Sequence, residues 1–153
     1  MMQYVILHNI RSAHNVGAIF RTCEGAGVTK IFLTGYTPRP LDRFGRVVAK
    51  IEKTSLGASA LVPWEAVDDV HEVIGRLRTE GVQVVAVELV AQSVSLYEFR
   101  PSPVVAYMFG NEVTGLVSSE LVASDVIVSI PMRGRKESLN VATTAGIVLF
   151  QYE

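Results

Sequence analysis

Ile130-Pro-Met-Arg-Gly-Arg-Lys-Glu-Ser-Leu-Asn-Val-Ala142 joins the end of one β-branched run, Val126 to Ile130, to the start of an apolar segment with helical spacing, Asn140 to Gln151. A strand end gives way to a glycine-bearing loop and then to a helix start. The same setting recurs upstream. Asn9-Ile-Arg-Ser-Ala-His-Asn-Val-Gly-Ala-Ile-Phe-Arg-Thr-Cys-Glu-Gly-Ala-Gly27 begins where the run Tyr4 to His8 ends, and it enters a helix read over Asn15 to Gly25. Phe109-Gly-Asn-Glu-Val-Thr-Gly-Leu116 closes the run Val104 to Phe109 with a loop held between two glycines.

Two further runs, Lys30 to Thr34 and Val82 to Leu89, have the continuous apolar character of strands covered on both faces. Val67 to Glu80 sets Val67, Val70, Val73, Ile74 and Leu77 on one helical stripe, with Asp68 and Asp69 at its positive end and Gly81 to stop it. The final helix is so rich in Ala, Val and Ile that burial on more than one side is expected. Alternating strand and helix predicts an α/β fold whose mostly parallel sheet is flanked by helices. With no internal repeat, low-complexity tract or linker, a single domain over residues 1–153 is expected.

The composition fits that class. A chain of 153 residues buries roughly two thirds of its unfolded surface in one core. With 49% hydrophobic and 19% charged residues, disorder does not fit. Basic and acidic side chains number 14 and 15, which excludes a generally basic nucleic-acid coat but leaves room for a local patch. The lone Cys23, with His8, His14 and His71 at no metal-ligand spacing, excludes a disulfide or zinc framework, so no metal is expected. No basic leader precedes an apolar stretch, and no apolar window approaches about 18 residues, so we expect a cytoplasmic protein with no membrane partner. A mean hydropathy of +0.32 points to apolar surface covered by a second subunit.

Each loop has an ordinary explanation beside a chemical one. Asn15 suits a helix cap, Gly17 a close backbone approach, and Arg21, on the first turns, a guanidinium reaching back toward the strand ends, where its planar fork suits phosphate. The ordinary alternative for Arg21 is a stem lying over apolar surface. Gly25-Ala-Gly27 is no dinucleotide loop, because it follows a helix instead of a strand. Glu112 is either aimed at a ligand or exposed in a turn, and Ser138 and Asn140 either face a ligand or cap the last helix. In Gly35 to Ser59, Pro38 and Pro40 break structure, and Arg39, Arg43, Arg46, Lys50 and Lys53 stand against Asp42 and Glu52. That segment reads as a solvated loop and helix face, or as a phosphate-contacting patch. Taken together, the three loops gather at one edge of one sheet, where α/β folds bind ligands.

Asn15 with Gly17 and Arg21, the run Phe109 to Leu116, and the run Ile130 to Ala142 resemble the three motifs of the SPOUT superfamily, in its SpoU/TrmH branch of RNA ribose 2′-O-methyltransferases. The resemblance covers nearly the whole chain, and its third motif is highly specific. Lys53-Thr-Ser-Leu-Gly-Ala58 is also similar to a family pattern. The resemblance implies a deep trefoil knot near the C-terminus, a homodimer whose site uses both subunits, and S-adenosylmethionine held bent as methyl donor. By position, Gly110, Ile130, Met132 and Leu139 would meet the donor, with Val87 at the end of its strand. Apolar walls and a few backbone hydrogen bonds suit an adenine ring. Arg21 takes the catalytic role, Asn15 and Glu112 shape the pocket, and Ser138 and Asn140 orient substrate and loops. A non-catalytic knotted RNA-binding or assembly factor has no need of all five. A generic nucleotide binder lacks its phosphate loop here.

The implied reaction is an in-line displacement of the sulfonium methyl by a ribose 2′-hydroxyl, with catalysis resting on placement. Arginine is an awkward base, since it holds its proton to above about pH 12. Either site and substrate phosphate together let Arg21 accept the proton, or Arg21 stays charged on the phosphate and the proton leaves by another path. Arg11, Arg39, Arg43, Arg46, Arg133 and Arg135 are the expected RNA contacts, and tRNA is favoured over ribosomal RNA for so small a chain.

Overall fold

In the computed structural model, which describes residues 1–152, the apolar runs form one sheet. Its strands are β1 (Met2–His8), β2 (Lys30–Thr34), β3 (Trp64–Val67), β4 (Gln83–Val87), β5 (Val94–Ser95), β6 (Val104–Phe109) and β7 (Val126–Ser129), in the spatial order β3-β2-β1-β6-β4-β7-β5. Every pairing between them is parallel. Helices α1 (Ala13–Gly25), α2 (Ala49–Ser55), α3 (Val70–Thr79), α4 (Ser118–Ala123) and α5 (Val141–Leu149) cover it, with a 3-10 turn at Ala58–Ala60. The expected fold class, an α/β fold with a parallel sheet between helices, is therefore observed.

Strand alternation divides the apolar residues between two cores. Val5 and Leu7 of β1, Val85 and Val87 of β4, and Tyr107 and Phe109 of β6 join the side that holds α1 and α5. Ile6, Ala86 and Met108, their sequence neighbours, join α3 on the other side. Gly17 fixes how closely α1 meets α2: a Cβ there would lie 2.3 Å from the Ile51 carbonyl oxygen and 2.0 Å from Thr54 Oγ1. The close approach expected at this glycine is thus present.

The chain builds outward from β1 to β2 and β3 and then crosses to β4. Strand β6 lies between β1 and β4, and β7 lies between β4 and β5, so later strands interleave with earlier ones. Around β1 the direction of building reverses, and such a switch leaves a crevice at the carboxyl ends of the strands.

Several boundaries differ from the sequence reading. Helix α1 starts at Ala13, capped by Ser12, whose hydroxyl accepts from the Asn15 N–H; Asn15 is not the cap. Arg21 accordingly lies beyond the second turn, exposed on the helix surface, and not on the first turns. Val67 ends β3, and α3 begins only after Asp69, whose carboxylate accepts from the His71 N–H. Strands β3 and β5 and helix α4 are additional elements, too short or too mixed in pattern to show as periodic runs. Helix α5 fully buries Ala145, Val148 and Leu149, packing chiefly against α1, so its burial is narrower than its composition suggests.

Candidate functional site

A cavity of about 660 Å³ opens at the carboxyl ends of β4, β6 and β7. Asn15, Glu112, Ser138 and Asn140 line it, as do the five expected donor contacts Val87, Gly110, Ile130, Met132 and Leu139. Residues more than a hundred positions apart in sequence thus share one wall. Arg21 is not on that wall.

Two hydrogen bonds tie the three loops together. The Asn15 side-chain amide donates to Glu112 Oε2 at 3.1 Å, and the Asn140 amide donates to Asn15 Oδ1 at 3.2 Å. Glu112 also accepts from the backbone N–H groups of Arg11, at 2.8 Å, and Ser12, at 3.0 Å, just before α1. A carboxylate there meets free amides and the positive end of the helix dipole. Burial pushes the Glu112 carboxyl up, but the donors from Arg11, its own backbone, Ser12 and Asn15 outweigh it and hold the group below its ordinary value. Glu112 therefore acts as an ionised brace between the first two loops. Asn140 caps α5 through the Ala142 and Thr143 N–H groups, so it both starts the helix and faces the cavity.

The second loop is shaped by residues the sequence reading passed over. Asn111 Oδ1 accepts from the Val113 and Thr114 N–H groups, and its amide donates to the Asn9 carbonyl and the Tyr36 hydroxyl. Glu88, on the cavity wall after β4, accepts from the Leu116 N–H at 3.0 Å. A Cβ on Gly115 would lie 2.3 Å from that carboxylate, and one on Gly110 would lie 2.8 Å from the Gly115 carbonyl carbon. Both glycines are therefore required by close approach. The signal for Glu88 was a lone carboxylate ending an otherwise apolar strand.

The cavity suits a nucleoside-bearing ligand. Its volume falls in the usual range for small-molecule sites, and Val87, Leu89, Ile130, Met132 and Leu139 supply apolar walls beside the backbone of the glycine loops. Among the described residues no three metal-ligating side chains cluster. No helix there is long and apolar enough to cross a membrane.

The expected RNA contacts spread over the exterior. Arg11 is exposed, while Arg133 and Arg135 follow Met132 on the exposed loop that borders the cavity. Arg39 approaches Asp68 at 3.5 Å and Arg46 pairs with Asp42 at 2.9 Å, both largely exposed. Arg43 lies over the Phe44 ring.

Comparison with known proteins agrees with this geometry. Residues 2–150 match the SpoU rRNA Methylase family. The chain is 33% identical over 96% of its length to a 23S rRNA (guanosine-2′-O-)-methyltransferase of Xylella fastidiosa, covering 56% of that protein. It is 31% identical over 96% of its length to a tRNA (guanosine(18)-2′-O)-methyltransferase of Thermus thermophilus, covering 72% of that one. Among solved structures, an AdoMet-bound rRNA methyltransferase from Sinorhizobium meliloti superposes with a TM-score of 0.88 at 32% identity, over 98% of this chain and 55% of the other. The chain thus spans little more than half the length of several relatives it matches.

Proposed function

The chain belongs to the SpoU rRNA methylase family, and from that premise we propose that it methylates a ribose 2′-hydroxyl in structured RNA, using S-adenosylmethionine. The observation that carries this reading is the line Glu112, Asn15, Asn140, which joins three loops around one cavity of suitable size and lining. The donor, when bound, supplies a methyl group on a sulfonium, which departs as a neutral thioether. The loops around Gly110 and Ile130 to Leu139 hold it. Ser138 and Asn140 orient the incoming ribose. Because Arg21 is exposed on α1, we assign it to the substrate phosphate beside the target ribose, with the hydroxyl proton leaving to solvent.

Since Arg21 lies off its own cavity, the proposal includes a homodimer in which the guanidinium serves the site of the second copy. Phe150, 61% exposed beyond α5, and the half-buried Ile147 supply apolar surface for such a contact. The interleaved strand order is what a deep C-terminal trefoil knot within a single 1–153 methyltransferase domain requires. We favour tRNA over ribosomal RNA as the substrate, in keeping with the tRNA (guanosine(18)-2′-O)-methyltransferase of Thermus thermophilus among the relatives. The proposal further includes a cytoplasmic location and a displacement that uses no metal.

Incubation with radiolabelled S-adenosylmethionine and separate tRNA and ribosomal RNA fractions, followed by nucleoside analysis, tests the reaction. Label in a 2′-O-methylated nucleoside from tRNA is expected. Donor binding with every fraction unlabelled would overturn it. For the shared site, Arg21→Lys and Gly110→Trp should each abolish turnover, while a random mixture of the two should regain about a quarter of wild-type activity from the one intact composite site per mixed dimer. No recovery in verified mixed dimers would assign Arg21 to its own subunit.

A further inference from the structure

Phe44 is 66% exposed at the tip of a turn between β2 and α2, where a large apolar ring meets water without any covering element. The turn is fixed before anything binds. Asp42 Oδ1 accepts from the Phe44 N–H at 2.8 Å and the Arg46 N–H at 3.0 Å, while Oδ2 accepts from Arg46 Nε at 2.9 Å. Asp42 N donates to the Arg46 carbonyl, Leu41 pairs with Val47 beneath, and Gly45 takes a φ of +76° that closes the tip. The ring is thus held outward by a closed, hydrogen-bonded frame.

Two guanidinium groups attend it, Arg43 at 4.8 Å and Arg46 at 4.9 Å from the ring centroid. Arg43 has no carboxylate partner among the described residues. An aromatic ring and guanidinium planes are the surfaces on which unstacked bases lie, and the same cations neutralise the flanking phosphates. The segment leaves β2 at the carboxyl edge that bears the cavity, where the Tyr36 hydroxyl accepts from the Asn111 amide of the second loop. A two-fold contact between copies centred on this tip would instead bring Arg43 and Arg46 against their own duplicates.

We propose that the Asp42–Arg46 turn is a stacking platform for an unpaired base of the RNA substrate, with Phe44 as its aromatic surface and Arg43 and Arg46 holding the adjacent phosphates. This rests on the reading of the chain as an RNA methyltransferase. The preformed turn means that binding orders the RNA but not the protein.

The test compares wild type, Phe44→Ala and Phe44→Trp for binding to a single-stranded oligoribonucleotide, to an RNA duplex and to S-adenosylmethionine, with sedimentation in parallel. Phe44→Ala is expected to weaken single-strand binding about tenfold, with Phe44→Trp restoring it. Duplex binding, donor affinity and sedimentation should stay unchanged. Equal single-strand affinity in wild type and Phe44→Ala would overturn the platform alone and leave the methyltransferase reading standing. A dimer lost in Phe44→Ala would overturn it in favour of an interface between copies. A wild-type chain that binds neither RNA would overturn both the platform and the reading beneath it.

Discussion

Glu112 commits both carboxylate oxygens to the backbone N–H groups just before α1 and to Asn15, so its charge is part of the frame that holds the cavity. Glu112→Gln keeps the size but turns an amide toward backbone N–H donors, and should cost about 2 kcal/mol of stability. Donor affinity should fall with it, as denaturant unfolding and calorimetry would measure. Because the folded carboxyl lies below its ordinary 4.5, its stabilisation is complete above that pH and is lost as pH falls through the folded value. A second titration belongs to His8, buried at the end of β1 with Nε2 2.9 Å from Glu120. Burial lowers the imidazole below 6.5, more than the neighbouring Glu120 and Asp69 raise it, and His71 lowers it further. The unfolded chain then takes up the proton first, so stability should decline as pH drops from 6.5 toward the folded value. His8→Gln should flatten that part of the profile while leaving the acid limb of Glu112 in place, as denaturant midpoints across pH would record.

Helices α1 and α2 meet through Gly17, and here packing is decided by a missing methyl group. Gly17→Ala would drive a Cβ onto the Ile51 carbonyl, and the two helices must part. The expected cost is about 2 kcal/mol, or roughly 4–8 °C in Tm by scanning calorimetry. Sequence reading found this approach because glycine inside a helix carries a penalty that needs a reason. It also found every long strand, since Val, Ile and Ala repeated across β1, β2, β4, β6 and β7 suit burial on both faces. The half-buried edge strand β3 shows no alternation, and β5 and α4 are too brief to carry a period. Asn15 looked like a cap because its residue type suits one, but Ser12 suits it too, and only the fold decides between them. Its side chain is left free to bridge Glu112 and Asn140, a link across 125 positions that no local pattern contains.

The strand order, with β6 and β7 each laid between earlier strands, brings together loops that sequence could only list side by side. Gly110 and Ile130 were legible because an apolar run stops there at a glycine or proline, and Val87 because it is the last apolar residue of its strand before Glu88. Arg21 was legible as a residue, but its place off the cavity wall was not: six residues beyond Asn15 on α1, it stands about 240° further around the helix. The chain's net charge of −1 offers little long-range attraction to RNA, so binding depends on where its cations gather. Arg43 and Arg46 project from one turn, and Arg133 and Arg135 from the loop beside the cavity. If those groups displace counterions from single-stranded RNA, each should add about 0.7 to the slope of log affinity against log salt. Reversing Arg43 and Arg46 to Glu should therefore raise KM for RNA steeply and reduce the salt slope by about 1.4, while donor affinity stays unchanged. Filter binding across a salt series measures it. An unchanged KM would return the Pro38 to Lys53 segment to a solvated surface, leaving the loop beside the cavity to hold the RNA.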